Sequence, residues 1–392
     1  MYFTIIFLVL PIFGITVKNN LNIIENQDTT LERNGKFIGF WGLGFGVGVV
    51  RFANNACNSS SSLVGTCYTK RQCADIGGIA SGSCASNIGV CCVIQLGCGA
   101  TSSYNNTYFV NTNFPSTVTG TGSDRCVYTI KQCNSDICQV RIDFISATLA
   151  QPDGDGNCRD DSLTIIGGGS QVPVLCGENT GQHVYVDFYQ SQDIQIIVTT
   201  SAAQGSNRNW NFKVTQIGCD CPTKAPSGCL QYHTELSGTV QSFNYGSTGS
   251  SSLNNIGAVG TRQLVNQNYG ICVAMRPGYC SITWTPSSMS SFTVSGDTDG
   301  VQMLIGTPAA GIMGENCTSD FVVIPAPFVN NVLQNYDRFC GNYFPPVTTY
   351  SKPFVLTVYT NGNETNDVAN RGFSLNYQQN RCTMLTNIEM VG

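Results

Sequence analysis

CRDDSLTIIGGG, residues 158–169, followed at 176–177 by Cys-Gly, is the stretch on which the fold turns. Ser162 to Ile166 alternates polar and apolar side chains, the period of a strand with one buried face. Gly167-Gly168-Gly169 then reads as a hairpin turn, because a phosphate loop would need Gly-Lys-Ser/Thr and a helix after it. Working outward, Cys126 to Lys131, Gln139 to Phe144, Val184 to Phe188, Asp193 to Thr200 and Asn211 to Thr215 are equally short, rich in β-branched and aromatic residues, and separated by Gly, Asn, Asp and Pro. Short strands at this rhythm predict a β-sandwich. A second β region follows the joint Cys219 to Cys229 (CDCPTKAPSGC), with strands expected at Gly238 to Phe243, Tyr269 to Met275, Cys280 to Thr285, Phe292 to Ser295, Val301 to Ile305, Phe321 to Ile324, Phe354 to Tyr359 and Phe373 to Tyr377. Two prolines and three cysteines make the joint stiff, so the halves are expected to be fixed relative to each other. Gly246 to Gly260 reads as a long exposed loop.

The chain holds 20 cysteines beside 2 histidines. So many thiols persist only as disulfides in an oxidising compartment, which predicts a secreted, extracellular protein. Thiolate metal sites are excluded by spacing, since Cys219-Asp220-Cys221 is one residue too tight for C-x-x-C. Charged residues are 11% and the net charge is -5. That composition suits a turn-rich β protein with little helix, and it leaves no basic face for nucleic acid.

Residues 1–16 (MYFTIIFLVLPIFGIT) read as a signal peptide, with no later run of eighteen apolar residues to span a membrane. In residues 17–56 lies FIGFWGLGFGVGVVRF (37–52), where glycines alternate with apolar residues in the period of a strand. Cys57 to Cys92 packs six cysteines into a minidomain too small to fold without bridges, each contributing about 2–4 kcal/mol; fifteen pairings stay open. Its terminal Cys91-Cys92 doublet resembles the clip domains that precede arthropod serine proteases.

The run Cys98, Cys126, Cys158, Cys176, with C-x-x-D-x-L-x-I at Cys158 to Ile165, resembles the CUB domain. Cys317-Thr-Ser-Asp320-Phe-Val322-Val-Ile324 with Cys340-Gly341 repeats the signature. The resemblance implies two CUB-like β-sandwiches of jelly-roll type, at residues 98–217 and 219–382, preceded by the clip-like module at 57–92. The arrangement as a whole is similar to arthropod CUB-domain-containing proteins. The resemblance further implies bridges Cys98–Cys126, Cys158–Cys176 and Cys317–Cys340. Cys133 with Cys138, and Cys272 with Cys280, are then expected as local pairs. Cys219, Cys221, Cys229 and Cys382 allow three pairings, with Cys382 expected to tie the carboxyl end back to the joint.

Many CUB domains hold calcium through three acidic side chains, and the resemblance carries two of these positions onto Asp161 and Asp153. The third falls on Ser201, and Asp155 or Asp160 are the substitutes at hand. Calcium in the first sandwich is thus one reading of Asp153-Gly-Asp155-Gly, and an Asp- and Gly-rich turn is the other. In the second sandwich Asp320 has no acidic residue eight positions back and the third position falls near Asn361, which argues against calcium there.

Catalysis finds no support: His183 and His233 are the only candidate bases, both read as surface residues, and Gly296-Asp-Thr-Asp-Gly300 has no nucleophilic serine. Asn58, Asn105, Asn316 and Asn363 open Asn-x-Ser/Thr sequons and mark candidate glycosylation sites. The expectation is a secreted, non-enzymatic protein that binds an extracellular protein or glycan. Two alternatives stand beside it: a cofactor or inhibitor of an extracellular serine protease acting through residues 57–92, and a structural component of cuticle or matrix.

Overall fold

The computed structural model describes residues 52–118, 124–202, 207–296, 302–364 and 367–382. The expected signal peptide, the Gly-rich stretch up to residue 51 and the loop after Gly296 lie outside the described residues. The chain divides into two compact units, 1–93 and 94–392.

The first unit is a small antiparallel sheet in which Ala56–Asn58 pairs with Val64–Tyr68, and Gly89–Leu96 pairs with both Val64–Tyr68 and Ile79–Cys84. A single helical turn, Lys70–Asp75, starts where Thr69 Oγ1 accepts from Gln72 N–H and Gln72 Oε1 accepts from Thr69 N–H, a reciprocal cap that satisfies two orphan donors. Three bridges staple it: Cys57–Cys91, Cys67–Cys84 and Cys73–Cys92. Cys73, Cys91 and Cys92 are wholly buried, so sulfur occupies the place a larger unit would fill with aliphatic side chains.

The second unit contains two sandwiches. In the first, one sheet runs Thr107–Val110, Asn209–Gly218, Ile137–Thr148, His183–Asp187, and the facing sheet runs Thr101–Ser102, Asp124–Ile130, Ile194–Thr200, Ser162–Ile166. Their inner faces meet through Phe109, Tyr128, Phe144, Trp210 and Phe212, each almost fully buried. Phe109 stacks on Tyr128 at 5.2 Å, and the Tyr128 hydroxyl shares a 2.7 Å hydrogen bond with Thr107 Oγ1, which keeps the phenol's polar end partnered in the core.

In the second sandwich, Cys229–His233, Asn268–Val273, Phe354–Tyr359, Phe321–Val323, Arg338–Gly341 and Gly311–Met313 form one sheet. Ser237–Gln241, Gly372–Arg381, Tyr279–Pro286, Val347–Thr349, Pro327–Val329 and Val332–Leu333 form the other. Trp284, Phe339, Phe354 and Phe373 fill the space between them. Residues 302–305, expected as part of a strand, are a turn, held by the Thr307 amide and hydroxyl both donating to the Leu304 carbonyl.

Bridges join Cys98 to Cys126, Cys158 to Cys176 and Cys317 to Cys340. The two local pairs are corrected. Cys138 bonds Cys219, because strand Asn209–Gly218 lies beside Ile137–Thr148 and its exit carries Cys219 N–H onto the Asp136 carbonyl at 2.8 Å. Cys133 is left unpaired, its own N–H donating to Gln216 Oε1 at 2.7 Å. Cys272 bonds Cys229 across a parallel strand pair, and Cys280 bonds Cys382 across an antiparallel one, so the carboxyl end is tied to Tyr279–Pro286 and not to the joint. Cys221 is the other free thiol.

One contiguous cluster of buried apolar side chains runs through both sandwiches. Residues 246–260 are not a free loop. Ser250 and Asn254 are buried, Thr261 N–H donates to the Gly154 carbonyl at 3.1 Å, and a Cβ on Gly154 would fall 2.1 Å from the Leu253 carbonyl oxygen. The loop is a docking surface for the first sandwich, and only Gly fits at 154.

Candidate metal centre

Asp161 lies at the start of strand Ser162–Ile166, as the motif places it, but its carboxylate is already saturated. Arg208 donates Nε to Oδ2 at 2.7 Å and Nη2 to Oδ1 at 2.9 Å, while the backbone N–H groups of Ala150 and Ser201 take the remaining lone pairs at 2.8 and 3.2 Å. Both side chains are at most 1% exposed. Ser201 meets the pair through its backbone, its carbonyl accepting from Arg208 at 2.9 Å. The positive charge that compensates Asp161 is an internal guanidinium.

Asp153 is not brought to Asp161. Its Oδ1 accepts from the N–H groups of Asp155 and Asn157, the geometry of an Asx turn, and its Oδ2 pairs with Arg159 at 2.7 Å. Asp155 turns toward the second sandwich, where its Oδ1 accepts from Asn255 N–H. The calcium set expected at Asp153 and Asp161 is therefore corrected: an arginine and a turn consume its carboxylates. Among the described residues no group of three metal-ligating side chains includes either one.

The second sandwich shows the reverse. Asp320, Glu364 and Asp367 are buried, and each offers an oxygen within 4.8 Å of the other two. Cys317–Cys340 pins the turn that delivers Asp320 to the head of strand Phe321–Val323; Glu364 and Asp367 arrive on the loop that follows Phe354–Tyr359. Groups outside the cluster hold each carboxylate through one oxygen. Asp320 Oδ1 accepts from Asn361 N–H at 2.8 Å, Glu364 Oε2 from Gln263 Nε2 at 2.9 Å, and Asp367 Oδ1 from Gly296 N–H at 2.7 Å. The other oxygens of Asp320 and Glu364, Oδ2 and Oε1, are buried with no hydrogen-bond partner.

Burial, reinforced by the neighbouring Asp367 carboxyl, pushes Asp320 up to about 8. Burial and the charges of Asp320 and Asp367 raise Glu364 well above the usual carboxylate range. Three carboxylates this close cannot all ionise in a dry site unless a cation compensates them. An all-oxygen, carboxylate-rich donor set suits a hard divalent ion such as calcium, which takes roughly 6–8 oxygens. The residues present fit that ion.

The first sandwich forms part of the wall. Gly156, at φ +82°, lies so close that a Cβ there would sit 2.6 Å from the Gln263 carbonyl oxygen and 3.0 Å from Glu364 Cγ. Val265 N–H donates to the Gly156 carbonyl at 3.2 Å.

A profile of the animal CUB domain matches residues 226–380. The chain carries a CUB domain. Its bounds enclose all but the last residue of the second sandwich's strands and all three carboxylates, and the fold is all-β, a disulfide-rich module followed by two CUB-like sandwiches. No curated protein sequence matches the chain. Among solved structures it is similar to the CUB1-EGF-CUB2 domains of rat MASP-1, at 11% identity over 73% of this chain and 99% of that one, with a TM-score of 0.25. The human MASP-1/3 counterpart gives 12% identity over 70% and 98%, with a TM-score of 0.24. The full extracellular region of zebrafish Gpr126/Adgrg6 gives 11% over 75% and 37%, with a TM-score of 0.25.

Of the sequon residues, Asn58, Asn316 and Asn363 are exposed. Asn105 is half-buried, its Oδ1 accepting from Gln216 N–H. No described helix is long and apolar enough to cross a membrane. His183, read as a surface residue, is 7% exposed, and His233 is partly buried against it.

Proposed function

We propose that the chain is a secreted, non-enzymatic recognition protein whose CUB-like sandwiches bind an extracellular protein or glycan, with calcium held in the CUB domain by Asp320, Glu364 and Asp367. The observation that carries the reading is the buried cluster of Asp320, Glu364 and Asp367 inside residues 226–380, two of whose carboxylates keep an unpartnered oxygen. Calcium there would tie the loop carrying Glu364 and Asp367 to the strand carrying Asp320, setting the shape of that end of the sandwich. Loops at sandwich ends are where such scaffolds carry recognition. Nine bridges support an oxidising, extracellular setting. Affinity capture from extracellular fluid with the full chain, with calcium or with chelator, tests the reading. A partner retained with calcium and lost on chelation or in Asp320→Asn supports it; capture indifferent to both would sink the calcium-dependent part.

A second reading keeps the six-cysteine module as the active part, in a serine-protease system. It is favoured by that unit's own three bridges and by Ile79 and Ile88, more than half exposed on it. Inhibition or co-activation of a clip-type protease by residues 57–92 would support it. Extraction from tissue only after reduction would favour a matrix role instead.

A further inference from the structure

The chain's only two histidines come together. His183 begins strand His183–Asp187 of the first sandwich, His233 ends strand Cys229–His233 of the second, and their ring centroids are 5.0 Å apart at 63°. His183 Nε2 lies 3.2 Å from the Tyr232 backbone N–H and 3.1 Å from its carbonyl oxygen, a bond that crosses from one sandwich to the other. His233 Nε2 is buried with no partner. Aromatic rings enclose the pair: Tyr185 stands edge-on to His183 at 5.6 Å, and Tyr377 tilts over His233 at 5.9 Å.

The charged surroundings offer a proton no welcome. From the neighbouring strand Ile137–Thr148, Arg141 lies over the Tyr185 ring at 5.5 Å, with Asp143 engaged by its Nε at 2.7 Å. Lys213 on Asn209–Gly218 acts in the field of the same Arg141 and Asp143. On the second sandwich, Arg276 acts on Tyr232 and Glu235 on Tyr377. Among the described residues neither imidazole makes an ion pair. Near the pair the seam is closed by neutral groups, Gln231 Nε2 donating to Gln182 Oε1 at 2.9 Å and Gln139 exchanging hydrogen bonds with the Ala225 backbone; further along it, Asp155 accepts from Asn255 N–H and Arg262 lies in the field of Glu178.

We infer that His183 and His233 form an acid-sensitive clasp, which as neutral rings seals the seam between the sandwiches and as two cations beside Arg141 drives it apart. Burial first, then the nearby Arg141 charge, pull His183 down to about 3 and His233 to about 4. A group depressed in the folded state contributes stability that is complete above its unfolded value, about 6.5, and is lost as pH falls through the folded values. The clasp is therefore closed at neutral pH and weakens progressively as pH falls below about 6.5 toward the folded values.

The test is X-ray scattering and circular dichroism on the full chain between pH about 7.5 and 3.5, comparing wild type with the double variant H183Q/H233Q, which cannot take up those protons. Wild type should lengthen in acid with its sheet signal retained, and the variant should stay compact to a pH lower by about one unit. Identical midpoints in the two proteins overturn the inference. Should the variant not fold, histidine ring signals in the wild type decide by NMR: rings still neutral at pH about 5.5 support the clasp, and a ring titrating near its ordinary value of about 6.5 refutes it.

Discussion

Arg208 grips Asp161 through two hydrogen bonds, at 2.7 and 2.9 Å, in a site closed to water. The same motif position in the other sandwich, Asp320, faces two further acids. One buried carboxylate is thus neutralised from within the chain, and its counterpart calls for charge from outside.

Removing the guanidinium should be far worse than removing the pair. Arg208→Met leaves the Asp161 carboxyl without its partner in the core, at a cost of about 3–5 kcal/mol, whereas Arg208→Met with Asp161→Leu should recover most of it. Urea unfolding of the three proteins separates these outcomes.

Calcium should stabilise the chain through the second sandwich alone. At a free concentration about 100-fold above its dissociation constant the gain is about 2.7 kcal/mol, a rise of a few degrees in Tm. Asp320→Asn should abolish the rise, and Asp153→Asn should leave it intact, as read by scanning fluorimetry.

The pH dependence of calcium binding follows from the raised carboxyls. Without the ion, stability supplied by protonated Asp320 is complete below its unfolded value, about 3.9, and is lost as pH rises through about 8. Calcium requires the ionised form, so its affinity should climb between pH about 6 and 8 with protons released on binding. Calorimetry in buffers of different ionisation enthalpy counts those protons; zero release would contradict the protonated resting state.

Cys133 and Cys221 should be the two thiols alkylated in the unreduced protein, since every other cysteine is bridged. Peptide mapping after iodoacetamide checks this. Label at Cys138 or Cys219 would mean that the bridge into the joint is wrongly assigned.

Much of this architecture was readable from alternation and turn chemistry, because period-two patterns such as Val140, Ile142 and Phe144 over Arg141 and Asp143 report directly on which face is buried, whereas His183–Asp187, packed against the second sandwich, is buried on both faces. The motif also located Asp161 and Asp320. What escaped were relations between residues distant in sequence. Cys138 to Cys219 spans 81 positions and Cys280 to Cys382 spans 102, and local spacing favoured nearer partners. Arg208 is one arginine without a pattern around it. Glu364 and Asp367 lie just past Asn361, where the third ligand was sought, and the acidic run Asn363-Glu-Thr-Asn-Asp367 was the available signal.

Gly156 has a practical corollary for anyone dissecting this molecule. A fragment trimmed to the boundaries of the matched CUB domain would retain every acidic ligand yet strip away the lining that Gly156 supplies over Gln263 and Glu364. Such an excised piece should admit solvent to the ion, hold it more weakly, and misreport the affinity of the intact protein.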